Sequence, residues 1–393
     1  MTQSKTNIAI DGNEANTNDR VGSNVYAFEI LTALYEQTQT NPQLNFTILL
    51  SAQPLLDLPL PRPGWQYQVI GPKLMWSQFA EPIHLFLNAK KFELLFVPGH
   101  YAPLISAVPY ISSVMDLAYL EYPDQFEQKD LLKLKRWTKY SVRDARKVIA
   151  ISEFTKQDVI KHYQKPASDI VVAYPAISKT KPAPDKTAQK FLKDHQIEQP
   201  FFLFLGTIQP RKNIIRLVEA YEKLCRRLSS QELNRKTKHQ PLPQLVLAGK
   251  IGWLADPILE RIQESSFMEN IILVGYVPDE IKPHLYKQAV ASLLLGLYEG
   301  FGIPPLESLH YNCLPIVADT TSLPEVVGPA GLQVNPYQIK EIAAAMEKAL
   351  QLSQKKRATY KRKAKVQMKK FSWQKSAQTI LNTIQEVIHE QSR

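Results

Sequence analysis

Two glutamates in the second half of the chain have the spacing and surroundings of a ligand site. Glu299 and Glu307 enclose two glycines and two prolines within LYEGFGIPPLESL, residues 297–309. Proline suits the first turn of a helix, and glycine lets the backbone approach a ligand closely. The amides of such a turn would bind an anion, and the carboxylates would accept hydrogen bonds from sugar hydroxyls. The stretch therefore predicts a site for a phosphorylated ligand with hydroxyl groups. The alternative is a Gly-Pro turn with one capping and one surface glutamate.

A second anion-binding pattern follows the apolar run FFLFLG, which ends at Gly206. Arg211 and Lys212 lie just before a predicted helix, which Asn213 is placed to cap. A guanidinium and an ammonium beside a helix N-terminus favour a phosphate ligand, whereas the alternative is a solvated basic turn. The nearby GFG element has Pro305 where a dinucleotide fingerprint has its third glycine, so no nicotinamide cofactor is expected.

Both patterns follow predicted strands, and the whole chain alternates short apolar runs with longer amphipathic stretches. The predicted strands are residues 7–11, 46–51, 67–71, 93–99, 111–116, 147–152, 169–175, 201–206, 244–249, 271–275, 291–296, 314–319 and 332–335. Helical patterns lie between most of them, as at 23–37 and 214–228. This alternation predicts an α/β protein with two doubly wound, Rossmann-like domains. Ligands bind at the carboxyl ends of strands in such sheets, so we expect the site in a cleft between the domains.

The domain boundaries follow from a change in composition near the middle of the chain. Residues 1–176 form the predicted first domain, and residues 177–190, rich in proline and lysine, form the predicted linker. Residues 191–371 form the predicted second domain. A final helical pattern at 372–393 is expected to pack back on the first domain.

Composition restricts the class of protein. The 393 residues include 44% hydrophobic and 22% charged residues, as in ordinary globular proteins. The chain contains no apolar run of membrane-spanning length, and the N-terminus lacks the apolar core of a signal peptide. Cys225 and Cys313 offer no disulfide framework, which predicts a cytoplasmic protein. The net charge of +11 favours anionic partners, but the chain has no RNA- or DNA-binding motif, so no nucleic acid is expected.

Five motifs of the second half, taken together, resemble one enzyme family. They are Gly206 with PRKN at 210–213, LAGKIGW at 247–253, VGYVPDE at 274–280, LYEGFGIPPLE at 297–307 and SLPEVVG at 322–328. In this order and spacing they resemble a glycosyltransferase of family 4, in the GT-B class. The segments LLFVPGHYAPL, DLAYLEYPDQF and IAISEFTKQDVIKHY of the first half resemble the same family more loosely. The resemblance covers nearly the whole chain and implies an acceptor-side first domain and a second domain that binds a nucleotide sugar.

The resemblance also implies a role for each matching residue. Arg211 and Lys212 would hold the diphosphate of the donor, whose negative charge grows as the glycosidic bond breaks. Glu299 would lie beside the donor sugar as the third catalytic residue, without acting as a nucleophile, and Glu307 would bind the ribose hydroxyls. The other expected donor contacts are Gly206, Tyr276, Val277, Phe301, Gly302, Ile303, Gly22 and Ser23. For Ser23 a helix N-cap is the alternative.

The implied reaction is a retaining hexosyl transfer. The donor would be GDP-mannose or a UDP-hexose, and the acceptor a hydroxyl of a glycan or a lipid-linked glycan. The nucleotide sugar is a co-substrate, and no cofactor is expected. No metal is expected either, because the chain has no Asp-x-Asp element and its eight histidines show no ligand spacing. Arg211 and Lys212 would supply the positive charge that a metal ion supplies elsewhere.

The acceptor-side candidates are His100 and Asp116. The family commonly has His-Asp after one strand, and this chain reads Met115-Asp116 there. Methionine cannot transfer a proton, so His100 is the nearest substitute, with a polar surface residue as the alternative. The chain also has Leu295-Gly296 where the family usually has Pro-Ser.

The same motifs are compatible with two other functions. A non-catalytic protein that binds nucleotide sugars would fit the methionine at position 115. A sugar-nucleotide epimerase would fit the two-domain architecture.

The stretch 355–370 holds nine basic residues and no acidic one. One interpretation is a peripheral contact with an anionic membrane, at the inner membrane face, worth about 1 kcal/mol for each cation near the surface. The other interpretation is a solvated helix face.

Overall fold

The structure is a computed structural model that describes residues 5–99, 101–234 and 241–391. The chain divides into two compact units. The first unit comprises Met1–Ala176 with Phe371–Arg393, and the second comprises Ile177–Lys370. Each unit is a parallel sheet with helices on both faces, and the thirteen strands predicted from the sequence are all present, which confirms the predicted fold class.

The first unit contains a seven-stranded parallel sheet in the order β3-β2-β1-β4-β5-β6-β7. Its strands are β1 Thr6–Asp11, β2 Leu44–Leu50, β3 Trp65–Val69, β4 Leu94–Val97, β5 Tyr110–Val114, β6 Lys147–Ala150 and β7 Ile170–Val172. Its helices up to this point of the chain are α1 Ser23–Gln37, α2 Ala80–Leu87, α3 Ala118–Glu121, α4 Gln128–Arg143 and α5 Glu153–Tyr163. The central strands β4 and β5 are buried along their whole length, because helices cover the sheet on both faces.

The second unit contains a six-stranded parallel sheet in the order β10-β9-β8-β11-β12-β13. Its strands are β8 Phe201–Leu205, β9 Gln244–Ala248, β10 Ile271–Gly275, β11 Ala291–Leu294, β12 Pro315–Ala318 and β13 Leu332–Val334. Its helices are α6 Asp185–Asp194, α7 Ile214–Asn234, α8 Asp256–Gln263, α9 Lys282–Gln288, α10 Ile303–His310, α11 Leu323–Val327, α12 Ile339–Leu350 and α13 Gln354–Met368.

The last helix, α14 Trp373–Gln391, belongs to the first unit. Trp373 packs edge to face on Tyr26 of α1, with ring centroids 5.8 Å apart, and Ile384 is fully buried. At the boundary near residue 177, the predicted linker 177–190 is not a separate segment between the units. Its residues lie in the second unit, and α6 already begins at Asp185.

The strand order of each sheet reverses at one point. In the first unit the reversal lies between the neighbouring strands β1 and β4, and in the second it lies between β8 and β11. The loops that follow the two strands at such a point diverge and leave a crevice at the carboxyl edge of the sheet. Each unit therefore has one edge position suited to ligand binding.

Within the described residues, no helix is both long and apolar enough to cross a membrane. Both cysteines, Cys225 and Cys313, are buried free thiols.

Two buried carboxyl groups lie beside the reversal point of the first unit. Asp11 ends β1 and is 7% exposed, and Glu81 of α2 is fully buried. The Asn13 amide donates to Asp11 Oδ1 at 3.0 Å. Burial raises the pKa of Asp11 to about 7, and burial together with the nearby Asp11 charge raises the pKa of Glu81 well above its usual value. The first unit therefore loses stability when these carboxyls ionise.

This pair predicts a specific dependence of stability on pH. The folded-state pKa of Asp11, about 7, lies above its ordinary value of 3.8, so ionisation opposes folding. The contribution of Asp11 to the free energy of unfolding is greatest below its ordinary pKa and is lost as the pH rises through about 7. Asp11→Asn should therefore raise the free energy of unfolding at about pH 8, by up to about 4 kcal/mol, and change it little near pH 4. Urea denaturation at both pH values measures the free energy of unfolding. Hydrogen exchange of the β1 amides serves as the local probe.

Asp57, in the same unit, provides a control for which the expected change in stability with pH has the opposite sign. The Arg20 guanidinium lowers the pKa of the exposed Asp57 carboxyl through a side-chain hydrogen bond. Asp57→Asn should therefore reduce stability at the higher pH and have little effect in acid. A gain in stability from Asp11→Asn that is equal at both pH values would show that the Asp11 carboxyl is not kept neutral.

Candidate active site

Three of the predicted catalytic residues form one cluster at the reversal point of the second unit. Arg211 and Lys212 lie on a single 3-10 turn, Pro210–Lys212, which follows β8. Lys212 Nζ donates to Glu299 Oε1 at 2.6 Å, and Arg211 Nη1 lies 4.0 Å from Glu299 Oε2. Glu299 is only 7% exposed, so the ion pair is shielded from water. Two cations and one carboxylate leave a net positive charge at the carboxyl edge of the sheet.

Gly296, which stands where the family usually has serine, lies directly against the Glu299 carboxylate. A Cβ atom at this position would lie 2.5 Å from Glu299 Oε1, which is closer than nonbonded atoms approach. The carboxylate of Glu299 therefore occupies the space that a serine side chain would need. With glycine at 296, the Glu299 carboxylate that contacts Lys212 needs no adjustment.

The turn that carries Glu299 is fixed from both sides. The Leu297 amide donates to Arg211 O at 2.8 Å, which ties the turn to the loop after β8. The buried Ser322 hydroxyl lies within hydrogen-bond distance of two carbonyls of the turn, 2.8 Å from Glu299 O and 2.6 Å from Phe301 O. Ser322 lies in the SLPEVVG motif, and sequence reasoning gave it no role. The position of a motif serine directly before a predicted helix was the available signal.

The predicted Gly-Pro helix start is present. Gly302 has φ of 115°, and α10 begins at Ile303 with prolines in its first turn. A Cβ at Gly302 would lie 2.7 Å from Leu323 Cδ2, so α11 also packs too closely for a side chain here. Phe301 is 4% exposed, so its side chain belongs to the interior of the unit.

Glu307 lies one turn into α10, in a polar cluster of its own. Its Oε2 accepts from Tyr286 OH at 2.8 Å, and Lys282 pairs with Asp279 nearby. Burial raises the pKa of Glu307, against the opposing effects of the Lys282 charge and the Tyr286 hydroxyl. The ring of Tyr286 stacks on Tyr311, with centroids 5.8 Å apart. Glu307 is thus held by side chains on α9, which the sequence did not identify as its partners.

The other donor-side residues lie at the ends of neighbouring strands. The Gly206 amide donates to Ala248 O at 2.9 Å, at the end of the pairing of β8 with β9. Tyr276 follows β10 and is 62% exposed, and Lys250 Nζ lies 5.2 Å from its ring centroid. The side chain of Val277 is buried in the core of the unit, so only its backbone is placed to meet a ligand.

The expected cap at Asn213 is not formed by its side chain. Asn213 takes a left-handed conformation with φ of 60°. Its Nδ2 donates to Pro336 O at 2.8 Å, and its Oδ1 accepts from Arg216 at 2.9 Å. The residue shapes the turn instead, because a left-handed backbone directs the chain from β8 into α7.

The predicted residues of the first unit lie around the start of α1 and after β5. Gly22, with φ of 55°, precedes α1, and Ser23 is the first helical residue instead of its cap. The Ser23 hydroxyl donates to Glu14 Oε2 at 3.2 Å. Asp116 follows β5, and its Oδ1 accepts the Ala118 amide at 3.2 Å. Met115 is buried. His100 lies outside the described residues.

A cavity of about 240 Å³ opens at the reversal point of the first unit. The residues that give it its chemistry are Asp11, Glu14, Lys73, Trp76, Ser77 and Tyr101. Sequence reasoning missed this cavity. Asp11, Glu14 and Tyr101 come directly after β1 and β4, so the strand-end rule could have found them, whereas nothing in the sequence marks Lys73 or Trp76. Carboxylates beside aromatic rings form a surface that suits a ligand with hydroxyl groups and an apolar face.

Among the residues that the structure describes, no group of three or more His, Cys, Asp or Glu side chains is arranged to hold a metal ion.

Comparison with known proteins assigns both halves of the chain to one enzyme class. Residues 185–367 match the family described as "Glycosyl transferases group 1", and residues 57–181 match "Glycosyltransferase Family 4". O-antigen chain mannosyltransferase B of Escherichia coli is 28% identical over 69% of this chain and 69% of its own length. The serotype-specific mannosyltransferase WbdA of Escherichia coli is 31% identical over 58% of this chain, which corresponds to 27% of that protein.

Solved structures share the fold over nearly the whole chain. The HepE protein of Anabaena, crystallised with UDP and glucose, has a TM-score of 0.70 at 16% identity and covers 97% of this chain and 100% of its own. WaaG, a glycosyltransferase involved in lipopolysaccharide biosynthesis, has a TM-score of 0.66 at 12% identity and covers 96% of this chain and 99% of its own. Together with the family matches and the two doubly wound units, these likenesses show that the chain belongs to the family-4 glycosyltransferases of the GT-B class.

Proposed function

We propose that this protein is a retaining mannosyltransferase that moves mannose from GDP-mannose to a hydroxyl of a growing surface polysaccharide or lipid-linked glycan. The observation that carries the proposal is the cluster of Arg211, Lys212 and Glu299 where the strand order of the second unit reverses. The names of the relatives support the choice of mannose and of a glycan acceptor, because the two relatives described above are an O-antigen chain mannosyltransferase and a serotype-specific mannosyltransferase. A UDP-hexose is the alternative donor. The buried free thiols fit a reaction in the cytoplasm.

The proposed chemistry uses the two cations at the leaving group. The bond between the anomeric carbon and the diphosphate oxygen breaks, and the diphosphate keeps the electron pair. Arg211 and Lys212 stabilise the charge that grows there, in a shielded site where such an interaction is strong. The acceptor oxygen forms the new bond on the same face of the sugar, and its proton passes to the departing phosphate oxygen. Glu299 holds Lys212 in position at 2.6 Å, and no metal ion is required in this scheme.

The remaining polar groups of the second unit suit the nucleoside. Glu307 is held through one carboxylate oxygen by Tyr286, which leaves the other oxygen to accept from ribose hydroxyls. The exposed ring of Tyr276 offers a surface for a base.

The acceptor is proposed to use the cavity of the first unit. Asp11 and Glu14 supply hydrogen-bond acceptors, Lys73 supplies a donor, and Trp76 and Tyr101 supply aromatic surface. These groups match the hydroxyls and the apolar face of a sugar ring.

The first prediction of the proposal concerns the two cations. Arg211→Ala and Lys212→Ala should each lower kcat by about 100-fold or more, because each removes a preorganised stabiliser of the leaving diphosphate. The measurement is GDP release and mannosyl transfer with GDP-mannose and a mannan oligosaccharide acceptor, in the presence of EDTA. Lys223→Met, an exposed lysine on α7, is the matched control and should retain full turnover.

The same assay separates the alternatives. Normal turnover in both variants would contradict the leaving-group role. Binding of GDP-mannose without GDP release would identify a non-catalytic binding protein. Conversion of the nucleotide sugar without any acceptor would identify an epimerase, and activity that EDTA abolishes would contradict metal independence.

The second prediction separates the two glutamates. Glu307→Gln should weaken GDP binding by about 10-fold to 100-fold, because a charged acceptor of ribose hydrogen bonds is lost. Glu299→Gln should leave GDP binding unchanged or make it tighter, since it removes the negative charge beside Arg211 and Lys212. Glu299→Gln should still impair transfer, because Lys212 loses the partner that positions it. Titration calorimetry with GDP and with UDP measures both effects and tests the choice of base.

Tyr286→Phe provides the matched control for Glu307. It keeps the carboxylate and the ring but removes the hydroxyl 2.8 Å from Glu307 Oε2, so it should weaken GDP binding less than Glu307→Gln does. Equal losses of GDP affinity in the Glu299 and Glu307 variants would refute the division of roles.

A further inference from the structure

The second unit has a cavity at the amino-terminal edge of its sheet, opposite the edge that carries the candidate active site. Its volume is about 190 Å³, roughly ten times or more the space that one water molecule needs. Ala289, Leu314 and Ala330 are part of its wall and come just before β11, β12 and β13. We call it the amino-edge cavity. Because the strands are parallel, it is separated from the candidate active site by the length of the sheet.

The charged side chains of the amino-edge cavity are all cations. Lys287 of α9 and Arg357 and Lys361 of α13 line it, and none of its described lining residues is acidic. Within the described part of the chain, none of these three cations forms an ion pair with a carboxylate. Burial raises the pKa of the Cys313 thiol in the same wall to about 11, so the thiol adds no negative charge. A concave surface with one sign of charge and apolar walls attracts an ion of the opposite sign.

The Arg357 guanidinium is already held in position at the cavity. The side chain is partly buried, and it donates from Nη1 to Val290 O at 3.2 Å and from Nη2 to Ala349 O at 2.7 Å. A guanidinium has five N–H groups, so two carbonyl partners leave others to donate to a ligand. An ordered cation loses little conformational freedom when a ligand binds.

One face of α13 supplies most of this chemistry. Positions 357, 360, 361 and 364 lie on the same side of the helix, because residues three and four apart are neighbours on a helix surface. Ala364 is buried against Leu309 and Ala330, which seats this face on the unit. Tyr360 and Asn312 add a hydroxyl and an amide to the wall. Two of the nine basic residues of the stretch 355–370 thus line a cavity, a role that the sequence did not indicate.

A second basic concavity of this unit, between α7 and α12, contains its own counter-ion. Arg227 lines it together with Glu347, and Arg227 Nη1 lies 2.8 Å from Glu347 Oε2. The amino-edge cavity has no such carboxylate in its described lining. The balance of charge therefore favours an external anion in the amino-edge cavity over the concavity between α7 and α12.

We infer that the amino-edge cavity binds the phosphate group of a small soluble phosphate ester. A phosphate dianion matches the guanidinium fork of Arg357 and the two ammonium groups, whereas a carboxylate carries only one charge. The volume exceeds what a phosphate group alone requires, and Tyr360 and Asn312 suit hydroxyl groups on the body of the ester. The inference does not depend on the proposed function, because none of these residues belongs to the candidate active site.

Titration calorimetry with inorganic phosphate and with glucose 6-phosphate tests the inference. The parent protein is the full chain with Arg211→Ala/Lys212→Ala, which removes the two cations of the candidate active site. The parent should bind both probes, and glucose 6-phosphate more tightly. Adding Lys287→Met/Lys361→Met should weaken binding by about tenfold or more, because two charged donors are lost.

The matched control is Lys355→Met/Arg362→Met in the same parent. It also removes two positive charges from exposed residues, but on the opposite side of α13, and should bind both probes as the parent does. Thermal unfolding verifies that each variant is folded. Hydrogen exchange of the parent provides the local readout: glucose 6-phosphate should slow exchange in residues 353–364 and leave residues 297–302 unchanged.

Three results would overturn the inference. The first is a parent that binds neither probe. The second is an equal affinity in the parent and in Lys287→Met/Lys361→Met. The third is an equal loss in the control variant, which would show a general effect of surface charge. Vesicles that contain phosphatidic acid present the same phosphate group on a lipid, and binding to them without binding of glucose 6-phosphate would also contradict a soluble ligand.

Discussion

Strands β8 and β11 are hydrogen-bonded neighbours whose following loops lead to opposite sides of the sheet, and the cluster of Arg211, Lys212 and Glu299 depends on this arrangement. Phe202 pairs with Ala291 in the sheet, so the loops after these strands begin side by side. Lys212 and Glu299 are 87 positions apart in sequence, yet their side chains lie 2.6 Å apart. The Leu297 amide, which donates to Arg211 O, joins the two loops directly. Without the reversal of strand order at this point, no local feature of either loop would bring the cations and the carboxylate together.

The ion pair between Lys212 and Glu299 opposes folding by its desolvation, but its position gives it a use in the site. Removing a lysine and a glutamate from water opposes folding, and their attraction repays this only when the geometry is good. Here the geometry is maintained by groups with no charge of their own. Gly296 leaves space for the Glu299 carboxylate. The Ser322 hydroxyl holds the backbone of the same turn at the carbonyls of Glu299 and Phe301. The pair thus positions Lys212 before any ligand arrives, and a preorganised cation stabilises developing charge without reorganising during the reaction.

The sequence predicted the parts of the site that follow strands and missed those that depend on packing. Arg211, Lys212 and Glu299 were identifiable because charged residues and glycines directly after apolar runs are unusual in a sheet protein. The role of Gly296 was hidden, because it arises from a contact with a side chain three residues away. Asn213 was expected to cap α7, but its Oδ1, the atom that a cap would use, accepts from the Arg216 guanidinium instead.

The two reversal points share one topology but differ in their electrostatics. In the second unit the crevice presents Arg211 and Lys212 against a single carboxylate, so it favours an anion. In the first unit the cavity presents Asp11 and Glu14 against Lys73, with the buried Glu81 close enough to affect Asp11. The raised pKa of Asp11 shows that this environment disfavours added negative charge. The first cavity therefore lacks the excess of positive charge that favours a diphosphate, whereas a neutral ligand with hydroxyl groups would find hydrogen-bonding groups there. The same strand order thus gives two crevices of different chemistry, one with an excess of positive charge and one lined by carboxyl groups and aromatic rings.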